Sequence, residues 1–79
     1  MFIEFAIRAE DPKFLVGHIF KMIESEVADW AKVNEIPYTS KRYKDTFRVA
    51  FNDDRYYTVF RLTWHELPYT EYKIINRQW

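Results

Sequence analysis

Apolar residues in this chain change their spacing along its length, and that change restricts the folds open to it. From residue 2 to residue 8 they alternate. Ile3, Phe5 and Ile7 fall on one side, Glu4, Ala6 and Arg8 on the other, with Phe2 at the end of the second side. A period of two is that of a strand with one buried face. Farther on the period lengthens. Val16, Ile19, Phe20, Ile23, Val27, Trp30 and Ala31 recur at steps of three and four, which draws one apolar stripe along a helix. Asp11-Pro12 suits the helix start, because proline at the first helical position gives up an amide that has no partner there. Pro37 places the helix end near Asn34.

Residues 35–43, EIPYTSKRY, read as a connection. Alternation then returns with Phe47, Val49 and Phe51 against Thr46, Arg48 and Ala50. Asn52-Asp53-Asp54-Arg55 reads as a polar hairpin turn. Beyond it, Tyr56 to His65 predicts a third strand, with Tyr56, Thr58, Phe60, Leu62 and Trp64 on one face. Leu67-Pro68 ends it, and Thr70 to about Arg77 predicts a fourth. The expected fold class is α+β. It is a two-layer sandwich in the order β-α-β-β-β, with one long helix packed on a mostly antiparallel four-stranded sheet. Strands two to four are expected to form a meander, since consecutive strands usually neighbour each other.

At 79 residues the chain is read as one domain, 1–79, with no room for a second core. It has no cysteine, so disulfides cannot support so small a core. Three Trp, six Tyr and seven Phe supply the burial instead. The start, MFIEFAIRAED, does not read as a secretory signal. Together with the missing cysteine, this suits a cytoplasmic protein. No apolar run approaches the ~20 residues that span a bilayer, so no membrane partner is expected. The formal net charge is zero, but residues 1–40 hold four bases against seven acids and residues 41–79 hold eight bases against five acids.

Catalytic motifs are scarce. A single glycine, Gly17, excludes a Gly-rich phosphate loop. Without cysteine there is no thiol nucleophile and no paired-cysteine metal site. Ser25 and Ser40 lie outside any nucleophile turn. Asn52-Asp53-Asp54 lacks the ligand spacing and turn glycine of a calcium loop. His65 is the one candidate for acid–base work, against its reading as a surface histidine at a strand end. The chain is therefore expected to be no enzyme, with no cofactor and no metal.

Two surfaces remain as candidates. If the oily side of the sheet faces the helix, Lys44, Arg48, Tyr57, Arg61, His65, Lys73 and Arg77 face away, joined by Arg8 and opposed by Glu4 and Glu71. Arginine with tyrosine is the composition of protein-binding hot spots. It is also that of sheets that bind single-stranded RNA, and an ordinary solvated face carries the same charges. The second surface is Phe14, Leu15, His18 and Met22, which fall outside the main helical stripe. It is covered either by the chain's own loop or tail, or by another subunit, as in a homodimer, or a target protein. No motif is specific enough to place the chain in a family. The expectation is a non-enzymatic protein-binding inhibitor or adaptor, as small accessory proteins of phages and mobile elements often are. The alternative is a nucleic-acid-binding module using the basic, aromatic sheet face.

Overall fold

A computed structural model of the chain describes residues 1–8 and 16–79, and the side chains of residues 1–8 and 17–79. The expected helix start at Asp11-Pro12 lies outside the described residues. The elements are β1 (Phe2–Ile7), α1 (Val16–Asn34), β2 (Tyr38–Tyr43), β3 (Thr46–Phe51), α2 (Arg55–Thr63) and β4 (Thr70–Ile75). They form a compact α+β domain with two helices and a four-stranded antiparallel sheet.

Two elements differ from the expectation. The segment 35–43 is more than a connection, because residues 38–43 form an edge strand paired to β3 from Tyr38↔Phe51 to Tyr43↔Thr46. Its residues are mostly exposed, so it carries no apolar face for a period-two pattern to reveal. The expected third strand, Tyr56 to His65, is the helix α2 with an extended exit at Trp64. The turn before it, Asn52 to Arg55, becomes the helix start. There Asp53 accepts the Arg55 amide at 2.9 Å, and its carbonyl accepts the Tyr56 amide. The Arg55 hydrogen bonds hold the Asp53 carboxyl below its ordinary range, so this carboxylate is already occupied.

The strand order is β2-β3-β1-β4, which replaces the expected meander. β1 lies between β3 and β4, with Ile3 opposite both Val49 and Ile74. This β-α-β-β-α-β order with a split arrangement is that of ferredoxin-like sheets. Phe2 explains the central place of β1. It is fully buried although it lies on the face opposite Ile3 and Phe5, so this strand is covered on both sides at that end.

α1 ends in a Schellman motif. The Ile36 amide donates to the Ala31 carbonyl at 2.9 Å and the Glu35 amide to Lys32 at 3.3 Å. Glu35 takes the left-handed position at φ 55°, a place glycine usually fills, and buried Ile36 closes over the helix end. The hairpin β2–β3 turns on Lys44-Asp45, with Lys44 at φ 53°.

One side of the sheet packs against both helices. Ile3, Phe5, Phe47, Val49 and Phe51 share a core with Ile19, Phe20, Ile23 and Val27 of α1 and with Tyr57 and Phe60 of α2. The helices are also tied to each other. Trp30 Nε1 donates to Thr63 Oγ1 at 2.9 Å, and that hydroxyl donates to the Val59 carbonyl at 2.6 Å. Tyr57 closes the far end of the core. Its hydroxyl accepts the Phe51 amide at 3.0 Å and donates to the Met1 carbonyl at 2.6 Å. Burial pushes the Tyr57 phenol above its ordinary value, with the Phe51 amide opposing the shift. Tyr57→Phe removes the partner of both groups and is expected to cost about 1–3 kcal/mol in urea unfolding. A loss below about 0.5 kcal/mol would show that neither bond matters to stability.

Candidate functional site

The other side of the sheet is covered by neither helix. Because side chains alternate, each strand sends its remaining residues there. The register aligns them in rows across the four strands. One row is Lys41, Arg48, Glu4 and Lys73, each directly opposite the next. Beside it runs Tyr43, Thr46, Ala6 and Glu71. On the opposite flank Thr39 faces Ala50 and Phe2 faces Ile75.

Arg48 is the centre of this face. Its Nε donates to Glu4 Oε2 at 3.2 Å, and both side chains are 15% exposed. The guanidinium lies 4.5 Å from the centre of the Tyr43 ring and 4.9 Å from that of Phe2. Phe2 in turn meets Trp79, with ring centres 6.1 Å apart. Tyr43, Arg48, Phe2 and Trp79 thus form one diagonal stack across the sheet. Its inner members are covered, while its ends stay open: Tyr43 is 42% exposed and Trp79 44%. Lys41 and Lys44 stand over the Tyr43 ring at 6.0 and 5.6 Å. Each cation–π contact contributes about 0.5–2 kcal/mol, depending on how dry it is. These contacts restrict the motion of the Arg48 side chain. Lys41, Lys73 and Arg8 are exposed, and among the described residues they have no ion-pair partner.

The residues expected to share one face are divided. Arg48 and Lys73 lie in the ionic row, Lys44 is at its rim in the hairpin turn, and Arg77 is exposed just past β4. Tyr57 is in the core, and Arg61 and His65 belong to α2 and its exit. These three leave the sheet face because residues 55–63 coil as a helix. His65 instead stacks on Trp64, with ring centres 6.1 Å apart. Of the second expected surface, Phe14 and Leu15 lie outside the described residues. His18 is exposed, and Met22, placed outside the main stripe by its spacing, packs half-buried against the core.

Lys41, Tyr43, Phe2 and Trp79 were not among the expected site residues. Two signals exist in the sequence for the first three, and none for Trp79. Thr39, Lys41 and Tyr43 alternate with Tyr38, Ser40 and Arg42, a tyrosine- and threonine-bearing run of strand length. Phe2 is an apolar residue on the polar side of β1. Comparison with protein-family models, curated proteins and solved structures finds no match to this chain.

Proposed function

We propose that this domain is a non-enzymatic binding protein that takes single-stranded nucleic acid across the free face of a two-layer α/β arrangement, in the cytoplasm. The observation that carries this reading is the stack Tyr43–Arg48–Phe2–Trp79 beside the exposed lysines of the ionic row. Single strands are bound by aromatic side chains on which bases stack and by cations that follow the phosphates. Tyr43 and Trp79 offer the first, and Lys41, Lys44, Lys73 and Arg8 the second. The exposed side of α1 is mixed, with Glu24 and Asp29 beside Lys21 and Lys32, and offers no comparable row of bases. Charge complementarity therefore directs a polyanion to the sheet.

A second reading is a small inhibitor or adaptor that covers a surface on a partner protein. It is favoured by Val33 and Leu62, which are 82% and 79% exposed on α1 and α2. Trp30, Val33, Trp64 and His65 line a groove between the ends of these helices.

Fluorescence anisotropy with a labelled single-stranded oligonucleotide, titrated at increasing salt, separates the two. With two or three phosphates neutralised, log affinity is expected to fall against log salt with a slope of about −1.5 to −2. Failure to bind at low salt, or binding that salt leaves unchanged, would remove the nucleic-acid reading. An apolar contact on the helix side is expected to respond little to salt.

A further inference from the structure

We infer that Arg48 is a phosphate-binding residue and that Glu4 is its built-in competitor, so that ligand binding exchanges one anionic partner for another. This rests on the reading of the sheet face given above and names the group that receives the phosphate.

A guanidinium carries five N–H donors in a fixed plane. Among the described residues, Arg48 uses only Nε, in one bond to Glu4. That bond, at 3.2 Å, is longer than the 2.7–2.9 Å usual between charged partners. The guanidinium carbon lies 4.9 Å from the Phe2 ring centre and 4.5 Å from that of Tyr43, contacts that limit its motion, and its terminal nitrogens make no hydrogen bond among the described residues. A planar guanidinium with two such nitrogens matches a pair of phosphate oxygens, and a lysine ammonium cannot supply that fork. Lys41 stands directly opposite on β2, so a phosphate at this edge meets a second cation. Glu4 stands directly opposite on β1 and repels the same phosphate. A ligand must therefore compete with Glu4 for Arg48. The rival role is purely structural, with the Arg48–Glu4 pair joining β1 to β3 and nothing more.

Two probes on the full chain decide between these roles. In the first, the Arg48 Nε–Hε signal is followed by NMR while inorganic phosphate is added, against chloride at matched ionic strength. A saturable shift specific to phosphate is expected, reached at about five-fold lower concentration in Glu4→Gln, where a like charge next to the site is gone. An Arg48 signal that phosphate moves no more than chloride does would overturn the inference, as would weaker phosphate binding in Glu4→Gln. The wild-type titration decides the point even if a variant folds poorly.

In the second, oligonucleotide affinity is measured for Glu4→Gln, Arg48→Lys and the double variant. Glu4→Gln is expected to bind about five-fold tighter, and Arg48→Lys about ten-fold weaker although its charge is kept. Glu4→Gln is expected to bring a smaller gain in the Arg48→Lys background, where like-charge repulsion is relieved but no guanidinium is released. A gain of the same size there would overturn the competition. A phosphate response without oligonucleotide binding supports the inference and removes the nucleic-acid reading. Oligonucleotide binding with a still Arg48 signal does the reverse.

Discussion

Phe60→Ala is expected to destabilise the domain by about 3–5 kcal/mol. Phe60 is wholly buried in α2, and its ring meets five others: Phe5, Trp30, Phe51, Trp64 and Tyr72, at 4.8 to 6.4 Å between centres. Those five come from β1, α1, β3, the exit of α2 and β4. Phe60 therefore links α2 to almost every other element, and its loss leaves a cavity that no single neighbour can fill. A domain of this length has only about 4–12 kcal/mol in total, at the usual 0.05–0.15 per residue. The variant is thus expected to be mostly or wholly unfolded at moderate urea, with near-ultraviolet circular dichroism lost first. A cost under about 1.5 kcal/mol would mean that this aromatic cluster collapses around the gap and is not the centre of the core.

The second large effect falls on binding. Tyr43→Ala and Trp79→Ala are each expected to weaken the single-stranded ligand by about ten- to a hundred-fold, the usual range for losing one base-stacking platform. Neither change removes a charge, so the salt slope is expected to stay at its wild-type value. That combination distinguishes stacking from simple charge attraction. The Trp79 variant uncovers one side of Phe2, so its stability is measured in parallel and binding is compared only where the protein is folded. If both variants bind within two-fold of wild type, the ends of the stack are not platforms, and the ligand is held by the cations of the face alone.

Much of the fold is legible in the residues themselves, and the failures are specific. β1, the body and end of α1, β3 and β4 all carry a single unambiguous period. Residues 56–64 carry two. Tyr56, Phe60 and Trp64 are four apart, and positions four apart share a face in a strand and nearly so in a helix. They cannot tell the two apart. Thr58 and Leu62 should be buried in a strand, Tyr57 in a helix. Tyr57 is buried and Leu62 is 79% exposed. The aromatic and β-branched residues here favour a strand locally, but that preference is worth little against packing. Read as a strand, the same segment puts Tyr57, Arg61 and His65 on the sheet, whereas the helix takes them off it. β2 is hard to read for the opposite reason, since an exposed edge strand has no apolar side to alternate.

What lies in the residues alone is local: which segments are oily on one side, where α1 ends, and that the basic residues gather late in the chain. Strand order, the central place of β1 and the row Lys41–Arg48–Glu4–Lys73 are not local. Backbone donors and acceptors are alike in every strand, so pairing is decided by which arrangement buries the most apolar surface. Arg48 meets Glu4 across 44 residues of chain because that arrangement sets β1 beside β3.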